Sequence, residues 1–186
     1  MDVSELAFHS KDPDRARWPC LPRLGLAARL PAAAGRAAWF GRGPGEAYPD
    51  RLASTTVGRF ASTVDALATP YLRPSESGSR ADAARVAVVV GRVALGVDAG
   101  GDAFHFSAAR ATTRDLIDAR HAHELRPRPF VQLNLDHAIM GVGGDDSWTA
   151  CVHAPFLVRA PSEARPGAFR FRFSVRDAEG EDLLSL

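Results

Sequence analysis

One lysine, two cysteines and two methionines are all that these 186 residues contain of those types. Lys11 is the single lysine, so positive charge is almost wholly arginine. It balances the acids to a formal net charge of +1, which leaves no field to attract nucleic acid or a membrane surface. Cys20 and Cys151 cannot make a disulfide scaffold, and they could be joined only if their Cα atoms came within about 7 Å. The expectation is two reduced thiols and a cytoplasmic setting. No apolar stretch approaches the ~20 residues of a spanning helix; the valine run Val86–Val90 is flanked by Arg85 and Arg92. The start, Met1-Asp2-Val3-Ser4-Glu5, is acidic and unlike a signal peptide. There is no phosphate-binding glycine loop, no Ser-His-Asp constellation and no cysteine metal set. What is present, 46% hydrophobic residues over this length, fits one soluble domain with its own core.

Period-two patterning dominates. Residues 1 to 20 carry Pro13 and Pro19, show no sustained period, and read as an irregular lead-in. Leu24, Leu26, Ala28 and Leu30 then alternate with Gly25, Ala27 and Arg29, the signature of a half-buried strand that Pro31 ends. Ala37 to Phe40 predicts a short strand, and Gly43-Pro44 a turn. From Pro44 to Arg80, recurring prolines and small polar residues predict extended loop. Arg85–Val90 and Arg92–Val97 read as strands joined at Gly91. Ala99-Gly100-Gly101-Asp102 is a hairpin signal before a strand over Ala103–Ser107. Thr112 or Thr113 caps the one predicted helix, running to about His123 with Leu116, Ile117 and Ala119 buried and Asp115 in its first turn. Further strands follow at Val131–Leu135, Val152–Val158 and Phe169–Val175, the last with one aromatic and one arginine face. Many short strands, strong turns and one short helix predict an all-β fold, an antiparallel β-sandwich.

The segment Gly141-Val142-Gly143-Gly144-Asp145-Asp146-Ser147-Trp148 cannot continue a strand or helix and describes a polar, backbone-dominated turn. An indole beside such a turn is equipped to hold a sugar ring, C–H face on the aromatic and hydroxyls on carboxylates and amides. Trp148 reads equally as a core residue anchoring the loop. Asp145 and Asp146 either cap their own backbone amides as Asx-turns or contact a sugar or metal.

Other motifs narrow the choice. Trp39-Phe40-Gly41-Arg42-Gly43-Pro44-Gly45-Glu46-Ala47-Tyr48-Pro49-Asp50-Arg51 is followed by Thr69-Pro70-Tyr71-Leu72-Arg73-Pro74-Ser75-Glu76-Ser77-Gly78-Ser79-Arg80, then Phe104-His105-Phe106-Ser107, His121-Ala122-His123-Glu124-Leu125 and the glycine turn. In this order, from about Leu21 to Phe173, they resemble the C-terminal, small-chain domain of glycoside hydrolase family 2 β-galactosidases. Ser75, often Gln in the family, and Thr149, often Gly or Ser, are modest departures. The resemblance implies a supersandwich of the galactose-mutarotase kind over residues 21 to 186. It also implies that the chain is a partial one, whose sheets either close on themselves or leave an edge for a partner.

The resemblance further implies a β-galactosidase acting on galactosides such as lactose. Its two catalytic glutamates, about 5–5.5 Å apart in a retaining enzyme, sit in a (β/α)₈ barrel of ~250 residues that this chain is too short to contain. No catalytic or metal-ligating residue is therefore expected here, and the Mg²⁺ and Na⁺ of the intact enzyme are implied to lie on other domains. Trp148 takes from the family the role of a sugar platform at the active-site rim, with Asp145 and Asp146 as companion substrate-binding candidates. The implied partners are the catalytic domain or large subunit and a galactoside, with a second copy of the chain as a further candidate.

Glu46 and Glu76 read as loop pins, because Pro, Gly and Tyr flank them. His121 and His123, two apart on a helix, make a poor metal pair. His105 is expected to point away from Phe104 and Phe106 and to be exposed, and His9, His137 and His153 show no partner. Arg170 and Arg172 read as a solvated face. The alternative is a free carbohydrate-binding or interaction module, or a truncated relic, without hydrolase activity. A sugar epimerase would need a facing acid and base that no strand presents inward.

Overall fold

The computed structural model describes residues 20–146, 148, 152–159, 169–178 and 182–184. In chain order the elements are β1 (Cys20–Leu21), β2 (Arg23–Pro31), β3 (Ala34–Gly43), β4 (Thr56–Thr63), α1 (Val64–Leu67), β5 (Arg80–Ala83), β6 (Arg85–Val90), β7 (Val93–Asp98), β8 (Phe104–Ala109), α2 (Thr113–Asp118), β9 (Phe130–Ile139), β10 (Val158–Arg159) and β11 (Arg172–Asp177). They form a five-stranded sheet in the order β11-β7-β6-β3-β4, a four-stranded sheet in the order β2-β9-β8-β5, and the small pair β1-β10. Among the described residues every strand pairing is antiparallel. The architecture is an antiparallel β-sandwich.

Alternation selects the face that each strand buries. Val86 and Val88 of β6, Leu95 and Val97 of β7, Phe104 and Phe106 of β8, and Val131, Leu133 and Leu135 of β9 meet in one core. Trp39 of β3 lies at its centre, 1% exposed. Its ring packs 5.5 Å from Phe60 and edge-on to Phe106 at 5.7 Å. The buried Arg80 guanidinium lies 5.4 Å from the Trp39 ring centroid and donates through Nε to the Pro44 carbonyl at 3.0 Å. The sheet edges are less covered. Phe173 and Val175 pair with Val97 and Leu95 and so share their inward face, yet both are exposed. Leu26 and Ala28, inward on the edge strand β2, are only half-buried.

Several sequence expectations are corrected. Ala99–Asp102 does not close a hairpin: β7 and β8 belong to different sheets, and the glycines, with φ of +69° and +116°, carry the chain across the sandwich. The span from Pro44 to Arg80 is not all loop, since β4 pairs with β3 from Arg36↔Thr63 to Gly43↔Thr56 and α1 follows it. Two short α-helices are therefore described, not one. The predicted helix to His123 stops at Asp118; Ala119 turns extended, and only a 3₁₀ turn, Ala122–Glu124, follows. Thr112 does cap α2, reciprocally with Asp115, but the helix is too short to bury its whole apolar side: Ala119, just past its end, is buried as expected, Leu116 is half-buried and Ile117 is 68% exposed. Where a strand was expected over Val152–Val158, a 3₁₀ turn at Ala154–Phe156 leads into the two-residue β10. In the Phe169–Val175 segment pairing begins only at Arg172, and its aromatic face is partly open because β11 is an edge strand. His105 is half-buried rather than exposed. The lead-in apart from Cys20, and Cys151, lie outside the described residues.

Candidate functional site

The glycine turn begins where β9 ends. Its first four backbone amides each find an acceptor from another part of the chain. Met140 N–H donates to the Pro22 carbonyl at 2.9 Å, and Gly141 N–H to the Phe156 carbonyl at 2.9 Å. Val142 N–H donates to Asp50 Oδ1 at 3.0 Å, and Gly143 N–H to Asp50 Oδ2 at 2.7 Å. Gly143 and Gly144 have φ of +64° and +96°, a left-handed region that a Cβ disfavours, and there the chain swings outward. Asp145 and Asp146 follow, both exposed. Asp145 pairs with His153, a histidine for which no partner was visible in the sequence. Asp146 Oδ1 accepts from the Trp148 amide at 2.7 Å, an Asx-type cap. The Trp148 ring is 91% exposed, so it anchors no core. An aromatic face of this size, free in solvent beside two carboxylates, can stack on an apolar ring face and accept hydrogen bonds at its margin.

Beneath the turn, the motif carrying Asp50 is tied down through Glu46. That carboxylate accepts from Thr69 Oγ1 at 2.7 Å, the Gly78 amide at 2.9 Å and Arg51 Nη1 at 3.0 Å, and also from the Tyr71 hydroxyl. Burial pushes the Glu46 carboxyl up, but the Gly78, Tyr71 and Thr69 hydrogen bonds and the Arg51 charge together hold it below its usual value. Glu76 is also engaged, with Arg23 Nη2 at 2.6 Å and the Tyr48 hydroxyl at 3.3 Å. Behind them Asp136 is 1% exposed. Burial raises its carboxyl to about 7, against the lowering pull of Arg23. With both carboxylates committed to neighbouring donors, neither glutamate is free for acid–base chemistry.

His121 and His123 do meet, their rings stacked 5.5 Å apart, because the helix has ended before them. Among the described residues no three His, Cys, Asp or Glu side chains gather as a metal site would require. A surface recess lies away from the turn, between α2 and residues 124–129 beside the Asp115–Arg128 ion pair.

The sequence profile described as "Beta galactosidase small chain" matches residues 2–174. The chain belongs to this family. Similar relatives include the beta-galactosidase of Vibrio cholerae serotype O1, 49% identical over 143 residues, which are 77% of this chain and 13% of the relative. That of Psychromonas ingrahamii is 38% identical over 138 residues, 74% of this chain and 13% of the relative. One from Enterobacter cloacae is 39% identical over 137 residues, again 74% and 13%. The chain thus spans 13% of the length of these curated relatives.

Within this small-chain framework, sequence reasoning brought Asp145, Asp146 and Trp148 to one exposed turn but did not single out Asp50. The signal was available: Asp50 is the penultimate residue of the first motif, and a conformationally demanding glycine turn with bare amides needs acceptors from somewhere. Nor did it find Asp136 and Arg23, which the β2–β9 pairing brings together.

Proposed function

We propose that this chain acts as the small-chain part of a β-galactosidase, which hydrolyses terminal β-galactosides such as lactose. In this reading it completes the active-site rim and the assembly, while the catalytic glutamates come from the barrel-bearing part of the enzyme. The observation that carries it is Trp148, held out 91% exposed from an anchored turn in a chain of this family. Trp148 serves as the platform for the sugar, and Asp145 and Asp146 lie at its margin for hydroxyl contacts. The half-open edges at β11 and β2 are where the rest of the enzyme covers the sandwich. Any Mg²⁺ or Na⁺ of the intact enzyme belongs to its other parts. A cytoplasmic setting fits the free thiol of Cys20 and the absence, among the described residues, of a helix long and apolar enough to cross a membrane.

The test is complementation. The chain is mixed with the Vibrio cholerae relative shortened by its matching segment, and hydrolysis of a nitrophenyl β-galactoside is followed. The isolated chain should show no turnover, and the mixture should gain activity that neither part has alone. A chain that binds galactosides unaided, yet neither associates with nor activates the shortened enzyme, would instead be a free carbohydrate-binding module.

A further inference from the structure

Asp50 reaches the turn across 92 positions of sequence to Val142. Its two carboxylate oxygens take two successive amides, those of Val142 and Gly143, at 3.0 and 2.7 Å. A bidentate, charge-assisted clamp of this kind fixes direction as well as distance. Gly141 makes the fit exclusive. A Cβ placed there would lie 2.3 Å from Asp50 Oδ2 and 2.6 Å from its Cγ, so only hydrogen leaves room for the carboxylate. Asp50 is itself held from the core side. Tyr48 is 1% exposed, and the backbone closes around Asp50 through Tyr48 N–H to the Arg51 carbonyl at 3.2 Å and Arg51 N–H to the Tyr48 carbonyl at 2.8 Å. A continuous path of contacts therefore runs from the core, through the Asp50 carboxylate, into the turn that carries Trp148.

We propose that Asp50 is a positioning residue: its carboxylate sets the glycine turn, and through it the direction in which Trp148 is presented to a sugar ring. The proposal rests on the platform reading of Trp148. Its consequence is that removing the carboxylate leaves the indole chemically intact but aimed loosely. Substrate binding weakens while the chemical step, supplied elsewhere, keeps its rate once substrate is bound.

Two measurements separate the positioning role from the platform reading. In the isotope-labelled chain, amide hydrogen exchange at Val142 and Gly143 should rise at least about tenfold in Asp50→Ala, with the strand amides of β6 and β8 unchanged. Asp50→Asn, which keeps the size and one acceptor oxygen, should release one of the two amides and hold the other; it also serves if Asp50→Ala folds poorly. In the enzyme reconstituted with its catalytic part, Asp50→Ala should raise KM for lactose several-fold with kcat nearly unchanged. The same substitution in a Trp148→Ala background should add nothing, because Asp50 acts through Trp148. Unchanged exchange at both amides would overturn the proposal outright, as would an equal rise in KM with and without Trp148. If Trp148→Ala alone leaves KM unchanged, the platform reading falls and the positioning role falls with it, whatever the exchange data show about the turn. Gly141→Ala gives an independent check. It should release the same two amides in the native chain and have little further effect on exchange in Asp50→Ala.

Discussion

The Asp136 carboxyl stands 3.4 Å from the Arg23 guanidinium, yet the contact is not a hydrogen bond: among the described residues, Asp136 Oδ2 and Arg23 Nη1 are both buried without a hydrogen-bond partner. Arg23 instead donates through Nη2 to Glu76 at 2.6 Å. Two carboxyl groups, Asp136 of β9 and Glu76 of the loop before β5, thus share the one arginine of β2. Tyr48 adds its hydroxyl through Glu76, and His105 is the cross-strand neighbour of Asp136 on β8.

This arrangement makes stability fall as pH rises. The folded Asp136 carboxyl holds its proton up to about 7, whereas its ordinary value is 3.8. Between those values the folded chain binds a proton that the unfolded chain has released, so the contribution is complete below the lower value and lost through the upper one. Asp136→Asn should remove this dependence. In urea melts at pH 5 and pH 8, the native chain should lose stability relative to Asp136→Asn by on the order of a few kcal/mol. Parallel curves for the two proteins would show that Asp136 is ionised throughout.

Glu46 has the opposite sign. Its folded carboxyl is held below the ordinary 4.5, so its contribution is present above that value and lost as pH falls through the folded one. Glu46→Gln replaces one acceptor oxygen by a donor that faces donors. The expected loss is about 1–3 kcal/mol at pH 7, narrowing toward pH 3, measured by denaturant unfolding.

Core position should outrank hydrophobicity among the aromatics. Trp39→Ala removes a ring that is 1% exposed and should cost about 3–5 kcal/mol. Phe171 packs edge-on to Phe104 at 5.3 Å but is only half-buried, so Phe171→Ala should cost less, about 1–3 kcal/mol. Equal losses in calorimetry would mean that the β11 edge is covered in solution.

Trp148→Ala should leave the melting transition nearly unchanged, within about 0.5 kcal/mol, because the ring is 91% exposed. In the reconstituted enzyme the same change should weaken galactoside or acceptor binding by up to about tenfold, the scale of one aromatic stacking contact. A large drop in melting temperature with unaltered affinity would make the residue structural.

Local pattern carried much of this protein. Period two over Leu24–Leu30, Val131–Leu135 and the valine runs marked strands, because a side chain's face in a sheet is set by its parity alone. The Thr112–Asp115 spacing marked a helix start, and the glycines after β9 marked a turn, because caps and left-handed backbone are decided within a few residues. The ordered motifs went further and identified the family to which the chain belongs. Tertiary structure decided what parity and spacing cannot encode. Ala99–Asp102 has the residues of a hairpin, but whether the next strand pairs with the last or crosses to the other sheet depends on which faces remain to be buried. Phe173 and Val175 have the right parity for a core and are exposed, because β11 lies at an edge. Asp50 meets the amides of Val142 and Gly143 only because the fold brings distant segments together, and Asp136 meets Arg23 only because β2 pairs with β9 across more than a hundred residues of sequence. The sequence by itself determined strands such as β2, β6, β7 and β9, the glycine turn and Trp148 as the aromatic candidate; strand pairing and packing decided which carboxylate holds that turn and which one is buried beside a charge.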